Sequence, residues 1–230
     1  MHTARIRAIV FDAGHTLLEM DYPQVTEFFR ARGHEIDEAA VVDAERRVRM
    51  RLDAEQATQP TRGRTGRGRY ARFLLDALGI DGDDERRAFG EWRRGFNVPI
   101  GLCHRADPEA AHALRRAREV GLAVGVISNS NGSVQRALEE AELARHLDFV
   151  LDSTVVGVAK PDPRIFALGL EAAKVRAEES VYVGDSYFVD VIGARRAGWK
   201  AVLFDPGGVW GGRDCPVATG LCAAVELGLG

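Results

Sequence analysis

The stretch that decides the fold is Ile6-Arg7-Ala8-Ile9-Val10-Phe11-Asp12-Ala13-Gly14. It is a short apolar run, interrupted only by Arg7, that stops at a carboxylate and a glycine. A run of this kind is typical of a strand buried on both faces, and such strands occur in parallel sheets. We therefore expect a buried parallel strand that ends at Asp12.

Similar apolar runs recur further along the chain, and each one closes on a polar or glycine residue. They cover residues 122–127, 149–151, 181–183 and 201–204. Helical patterns lie between them, at residues 108–120, 133–141, 163–170 and 189–197, and an apolar tail at 221–229 is expected to pack on the core as a short helix. Alternation of strands and helices predicts an α/β fold with a Rossmann-like, doubly wound parallel sheet.

One long segment, residues 19–98, breaks this alternation and shows no convincing strand pattern. Val41, Ala44, Val48 and Leu52 follow helical spacing, and residues 70–78 and 84–96 also have helical patterns. We expect an all-α insertion after the first strand. The predicted domains are a core at 1–18 and 99–230 and a helical domain at 19–98.

Composition narrows the class of protein. The chain has 230 residues, of which 46% are hydrophobic and 28% charged, and this suits a folded domain with a sizeable core. A formal charge of -3 favours neither a nucleic-acid nor a membrane partner. No apolar run approaches the ~18 residues of a membrane span. We expect a cytoplasmic protein, and the sequence does not indicate its oligomeric state.

The polar residues at the strand ends predict a binding site. In an open α/β sheet, ligands bind at the carboxyl ends of the strands, where Asp12, Ser128, Asp185 and the loop bearing Lys160 should meet. Two carboxylates can hold Mg²⁺, and the metal together with the lysine can neutralise phosphate oxygens. A carboxylate oxygen can also attack phosphorus and form an aspartyl-phosphate.

Four stretches strengthen this interpretation by their order: Asp12-Ala13-Gly14-His15-Thr16-Leu17, Val126-Ile127-Ser128-Asn129, Lys160-Pro161-Asp162, and Val183-Gly184-Asp185-Ser186 with Asp190. The series resembles the four motifs of the haloacid dehalogenase-like (HAD) hydrolase superfamily. The helical insertion resembles the C1 cap of its subfamily I. The resemblance implies a Mg²⁺-dependent hydrolase, most simply a phosphatase of a small phosphorylated metabolite that works through an aspartyl-phosphate.

The resemblance also implies a role for each matching position in the metal site. Asp12 matches the nucleophile and a metal ligand, and Gly14 matches a residue whose backbone carbonyl binds the metal. Asp185 matches the second metal carboxylate. Asp190 matches the acid that holds a metal-bound water or orients the lysine.

A second group of matching positions would handle the phosphate. Lys160 matches the residue that neutralises its charge, and Ser128 matches the residue that binds it. Thr16 matches the residue that steadies the nucleophile loop and lies near the substrate. Asn129 is a candidate for the wall of the substrate crevice.

The sequence departs from the family pattern at Gly14, where HAD phosphatases usually carry a second Asp that acts as general acid and base. Such help is typically worth about 10²–10⁴ in rate. Three explanations stay open: the substrate has a good leaving group, His15 or a cap residue supplies the proton, or the chain is a slow or non-phosphatase member.

The sequence disfavours three other functions relative to the phosphatase. A 2-haloacid dehalogenase typically has Tyr at the place of Gly14 and lacks the Gly184-Asp185 pair. A phosphonoacetaldehyde hydrolase needs a cap lysine, and residues 19–98 contain none. A non-catalytic binding protein would have no reason to keep Asp12, Lys160 and Asp185. The Arg/Gly-rich stretch 61–69 is expected to be a solvated link rather than an anion-binding loop.

Overall fold

The computed structural model describes residues 4–58, 66–96 and 100–230. Its strands are Ala8–Phe11 (β1), Leu18–Met20 (β2), Cys103–Ala106 (β3), Ala123–Ser128 (β4), Phe149–Asp152 (β5), Ser180–Gly184 (β6), Lys200–Phe204 (β7) and Val217–Ala218 (β8). Its α-helices are Tyr22–Arg30 (α1), Glu38–Thr58 (α2), Gly66–Leu78 (α3), Asp83–Phe96 (α4), Ala110–Glu119 (α5), Val134–Glu140 (α6), Ser153–Val156 (α7), Pro163–Ala173 (α8), Gly193–Arg196 (α9) and Leu221–Leu229 (α10). A π-helix, Tyr187–Ile192, precedes α9, and short 3-10 helices lie at Ala144–His146 and Ala177–Glu179.

The main sheet has six strands in the order β5-β4-β1-β6-β7-β8, and each neighbouring pair is parallel. β1 lies inside the sheet between β4 and β6, and all four of its residues are buried. This confirms the predicted α/β, Rossmann-like fold. The reason is that a parallel strand covered on both faces requires apolar residues on both faces.

Helices cover both faces of the main sheet. Side chains alternate along each strand, so an apolar strand places apolar side chains on both faces, and both need cover. Ile9 and Phe11 pack in one hydrophobic cluster with residues of α5, α6 and α10. Val10 faces the other way, into a cluster with Phe166 of α8 and with Trp199. Helix α10 is the predicted tail helix, and Leu221 is fully buried against the first of these clusters.

Helices α1–α4 follow β2 and precede β3, and they enclose a separate hydrophobic cluster that includes Phe29, Val48, Phe73 and Phe89. The helices predicted between the first strand and the rest of the core are therefore present in the fold. Within the described residues, no helix combines the length and apolar character needed to cross a bilayer.

The base of this insertion differs from the prediction that residues 19–98 contain no strand. Glu19 and Met20 belong to β2, which pairs antiparallel with β3 in a separate two-stranded sheet. Three residues are too few to show an alternating pattern, so local sequence gave no signal. The predicted second join, at residues 97–99, lies outside the described residues.

Other predicted boundaries also need correction. Helix α5 spans Ala110–Glu119, so it starts two residues after the predicted start at Pro108. Ala110 N donates to the Asp107 carbonyl (3.0 Å) and Glu109 N donates to Asp107 Oδ1 (2.8 Å), so one tight turn precedes the helix. The helix predicted at 189–197 is the π-helix followed by α9. Residues 61–65 of the Arg/Gly-rich stretch lie outside the described residues, and Gly66 already begins α3 rather than continuing a linker.

Candidate active site

Predicted site residues meet at the carboxyl ends of β1, β4 and β6, where they line a cavity of about 480 Å³ between the core and the helical insertion. They are Asp12, Gly14, Ser128, Asn129, Lys160, Asp185 and Asp190. Thr16 is the exception, because it is buried and does not line the cavity. Thr16 Oγ1 has no hydrogen-bond partner in the described part of the chain.

Lys160 is the buried cation at the floor of the cavity. Its Nζ lies 2.6 Å from Asp12 Oδ1, 2.8 Å from Asp190 Oδ1 and 2.7 Å from the hydroxyl of Tyr182. Burial alone would lower the pKa of Lys160, but the Asp12 and Asp190 carboxylates raise it well above its ordinary value. The ammonium is therefore charged at neutral pH and holds the two carboxylates together.

Tyr182 and Asn129 position this lysine. The Tyr182 hydroxyl donates to the carbonyl of Ile127 (2.7 Å), so its oxygen is fixed where Lys160 Nζ donates to it. The Asn129 amide donates to the Lys160 carbonyl (2.9 Å), and Asn129 Oδ1 accepts from the Lys160 N–H (2.8 Å). The sequence analysis does not identify Tyr182, because this residue lies between valines in an apolar strand and no adjacent polar residue suggests a function.

Asp12, Asp185 and Asp190 form a compact group of buried carboxylates. One oxygen from each lies within 4.8 Å of the others. Burial raises the pKa of Asp12 to about 7, against the opposing effect of Lys160, and burial also raises the pKa of Asp185. Three hard oxygen donors that are costly to hold as bare anions fit a hard divalent cation such as Mg²⁺.

The position of Gly14 has room for a side chain. A Cβ atom there would lie 3.8 Å from Cβ and Sγ of Cys103, which is an ordinary contact distance. The φ angle of Gly14 is not positive, so its backbone does not require glycine. The missing acid is thus a feature of the sequence and not a consequence of crowding.

His15, next in the chain, has a left-handed backbone, with φ of 61°. Its Nε2 lies 3.3 Å from Glu45 Oε1 of α2 and 3.6 Å from Cys103 Sγ. Burial, assisted by the nearby Arg49 guanidinium, lowers the pKa of His15 to about 3. The imidazole is therefore neutral at pH 7, and burial raises the pKa of the Cys103 thiol to about 12.

Helix α2 brings two further residues to the site that the sequence analysis does not identify. Arg49 Nη1 forms an ion pair with Asp185 Oδ2, and Arg49 Nε donates to Glu45 Oε2 (2.7 Å). Asp53 is buried, and its carboxylate accepts hydrogen bonds from Ser186, Phe188 and Val189. The i, i+4 spacing of Glu45, Arg49 and Asp53 along one helix is the sequence signal that could have found them.

Comparisons with known proteins show which family this chain resembles. A sequence model of haloacid dehalogenase-like hydrolases matches residues 6–198. The haloacid dehalogenase-like hydrolase domain-containing protein 3 of Bos taurus is 30% identical, over 88% of this chain and 83% of the relative. A phosphoserine phosphatase of Thermus thermophilus is 46% identical, over 44% of this chain and 41% of the relative.

A solved structure of a similar protein has the same fold over nearly the whole chain. The 2-haloacid dehalogenase of Pseudomonas syringae superposes with a TM-score of 0.58 and 26% identity, over 96% of this chain and 97% of that one. Both the main sheet and the helical insertion therefore fall within the matched length. The family match spans β1 to α9, including every motif residue placed in the cavity, and the chain belongs to the haloacid dehalogenase-like hydrolase family.

Proposed function

We propose that this chain is a Mg²⁺-dependent phosphatase of a small phosphorylated metabolite, with Asp12 as the nucleophile. The observation that carries the proposal is the buried Asp12 carboxylate, held by Lys160 Nζ at 2.6 Å and grouped with Asp185 and Asp190. The partial similarity to a phosphoserine phosphatase supports the reaction class, although it extends over 41% of that relative.

Asp12 would act in two steps. Its carboxylate oxygen attacks phosphorus, and the bond from phosphorus to the leaving oxygen breaks, which gives an aspartyl-phosphate. Water then attacks the same phosphorus, and the bond to Asp12 breaks, which restores the carboxylate and releases phosphate. Lys160 keeps one oxygen of Asp12 in place, so that the attacking group is oriented before the substrate arrives.

The remaining residues would bind the phosphoryl group and the metal. Ser128, at the end of β4, would hold a phosphoryl oxygen beside the Lys160 ammonium. The oxygen donors of Asp12, Gly14, Asp185 and Asp190 would hold Mg²⁺, directly or through water. When bound, the ion would neutralise negative charge on the phosphoryl oxygens.

Substrate binding by Asn129 and Thr16 stays a prediction. The amide of Asn129 is already engaged at both ends by the Lys160 backbone, which favours a positioning role for this residue. Thr16 is buried outside the cavity lining, which favours a role in the nucleophile loop.

The helical segment 19–98 would be a C1-type cap on a core of residues 1–18 and 99–230. Its separate hydrophobic cluster and its contribution of Arg49 and Asp53 to the cavity support this division. A cytoplasmic location, and the absence of nucleic-acid and membrane partners, stay predictions from composition.

The absence of an acid at Gly14 narrows the substrate. At pH 7 its neighbour His15, with a pKa of about 3, has already lost its acidic proton, and Cys103, with a pKa of about 12, is too weak an acid to donate one readily. The proposal therefore favours a leaving group that departs without protonation, such as that of an acyl or aryl phosphate.

A 2-haloacid dehalogenase is the second candidate, because a solved dehalogenase is 26% identical over nearly the whole chain. The grouping of three carboxylates disfavours it, since the dehalogenase reaction needs no metal. A non-catalytic protein on the same scaffold is the third candidate, and the absence of an acid at Gly14 is its only support.

The deciding experiment measures phosphate release from p-nitrophenyl phosphate with Mg²⁺, for the wild type and for Asp12→Asn. Asp43→Asn, which alters an exposed acid paired with Arg47 on α2, serves as the matched control. We expect turnover in the wild type and the control and none above background in Asp12→Asn. Equal rates in all three proteins would refute the phosphatase, and halide release from 2-chloropropionate without metal would identify the dehalogenase.

A further inference from the structure

Helix α2 contacts the loop that carries Asp185 through two residues one helical turn apart. Arg49 pairs with Asp185 itself. Asp53 accepts from the Ser186 hydroxyl and from the backbone N–H groups of Phe188 (2.9 Å) and Val189 (3.1 Å). The insertion therefore contacts a loop of the core at the cation ligand and directly after it.

Asp53 fixes the shape of this loop. The backbone N–H groups at the start of the Tyr187–Ile192 helix have no partner within the helix, and the Asp53 carboxylate satisfies two of them. Asp185 precedes this turn and Asp190 lies within the same helix, where its Oδ2 accepts from Ser186 N (3.0 Å). Asp185 and Asp190, both candidate cation ligands, lie on either side of the residues that Asp53 binds. The Asp53 carboxylate oxygens therefore hold the backbone that sets the relative position of these two carboxylates.

Asp53 holds the candidate cation ligands in place, whereas Arg49 competes with a cation for one of them. Its guanidinium sits on a carboxylate that a divalent cation would also use, and like charges at such a short distance repel strongly in a partly buried site. The buried Glu45 carboxylate accepts from Arg49 Nε, so the guanidinium is anchored beside Asp185. Neutralisation of Asp185 by Arg49 and neutralisation by a cation are therefore alternatives.

We propose that helix α2 sets the divalent-cation affinity of the site through two positioning residues of opposite effect: Asp53 strengthens cation binding and Arg49 weakens it. The proposal rests on the cation site of the proposed function. Linkage makes the effect reciprocal, so a bound cation weakens the Arg49–Asp185 contact and strengthens the contact that Asp53 makes with the loop.

The test is calorimetric titration of the metal-free full chain with MgCl₂, which reads out binding without any turnover. We expect Arg49→Gln to bind Mg²⁺ about 10-fold more tightly than the wild type, in the range usual for coupled sites. Arg49→Lys keeps the positive charge and should stay within about 2-fold of the wild type. Arg47→Gln, which alters an exposed arginine of the same helix, is the matched control and should bind as the wild type does.

The Asp53 variants should shift the affinity the other way. We expect Asp53→Ala to bind Mg²⁺ about 10-fold more weakly. Asp53→Asn keeps one acceptor oxygen and should recover part of the loss. Such partial rescue, together with the opposite sign at Arg49, would not arise from general destabilisation, which thermal unfolding without metal measures separately.

The inference would be overturned if the Arg49 and Asp53 variants changed the Mg²⁺ affinity in the same direction, or if either set of variants left it unchanged. The cation site itself would stand in both cases. Asp185→Asn tests that site itself: if the wild type binds no Mg²⁺, or if Asp185→Asn binds it equally well, the proposed function and the inference both fail. If Arg49→Gln does not fold because Glu45 loses its counter-charge, the double variant Glu45→Gln/Arg49→Gln carries the test, with tighter binding expected.

Discussion

Lys160 Nζ lies 2.6 Å from Oδ1 of Asp12, and only 2% of the lysine side chain is exposed. A charged ammonium is buried at this depth only when it is paired, and here two carboxylates and a hydroxyl surround it. The pair thus links the stability of the core to the chemistry proposed for Asp12.

The first prediction concerns this lysine. Lys160→Met leaves Asp12 and Asp190 buried without their shared counter-charge, so we expect the free energy of unfolding to fall by about 3 kcal/mol. Turnover of p-nitrophenyl phosphate should fall by about 100-fold or more, because a preorganised charge at the reacting group is lost. Urea unfolding and steady-state kinetics measure the two effects. Lys200→Met, at the exposed start of β7, should change neither; unchanged turnover in Lys160→Met would contradict the role given to Lys160.

The second prediction concerns the pH dependence of stability. The pKa of Asp12 is raised, chiefly by burial, to about 7 from an ordinary value of 3.8, so the protonated form is favoured in the folded state. The stability that protonation contributes is complete below about pH 4 and is lost as pH rises to about 7, by at most about 1.4 kcal/mol for each pH unit. Asp12→Asn cannot lose this contribution. Urea unfolding in EDTA from pH 4 to pH 8 should therefore show Asp12→Asn gaining stability relative to the wild type, and a constant difference would rule out the raised pKa.

The third prediction concerns the backbone of His15, which has a positive φ of 61°. A left-handed conformation costs a residue with a Cβ roughly 1–2 kcal/mol, and glycine does not bear this cost. His15→Ala and His15→Gly both lose the imidazole contacts with Glu45 and Cys103, but only the alanine keeps the strain. We expect His15→Gly to be more stable than His15→Ala by about 1 kcal/mol in urea unfolding. Equal stability, or greater stability of the alanine variant, would show that the backbone there is unstrained.

The fourth prediction restores an acid at position 14. A Cβ would meet only ordinary contacts with Cys103, so Gly14→Asp should fold. If protonation of the leaving oxygen limits the rate, kcat on alkyl phosphates should rise about 10-fold or more, while kcat on aryl phosphates changes little. Gly14→Asn, of similar size and without an acidic proton, is the matched control. An equal gain on both substrate classes would mean that proton transfer does not limit the reaction.

The predictions from sequence succeeded where local pattern carries the structural cause. Apolar runs ending at Asp12, Ser128 and Gly184 indicated buried parallel strands, and the sheet places these strands side by side. The carboxyl ends of parallel strands open on one edge, so placing Asp12, Lys160 and Asp185 near one another needed no knowledge of side-chain packing. The helical spacing of apolar residues in α2 likewise predicted which face of the helix is buried, and that face includes Val41 and Val48.

The same reasoning missed β2, Tyr182, Arg49 and Asp53, because the role of each one depends on partners far away in the chain. β2 exists because it pairs with β3, about 85 residues later in the chain, and its three residues hold no pattern of their own. Polar residues on a helix surface usually face solvent. The i, i+4 spacing of Glu45, Arg49 and Asp53 was therefore a signal too weak to separate them from an exposed pair with the same spacing, such as Asp43 and Arg47.

The amino-acid sequence alone thus determined the α/β layering, the helical insertion and the set of polar residues at the strand ends, because burial and chain direction impose these locally. Only the tertiary structure decided which partners the buried charges find. The docking of α2 against the Asp185 loop places an arginine and an aspartate beside the candidate cation site, and that contact depends on residues more than 130 positions apart.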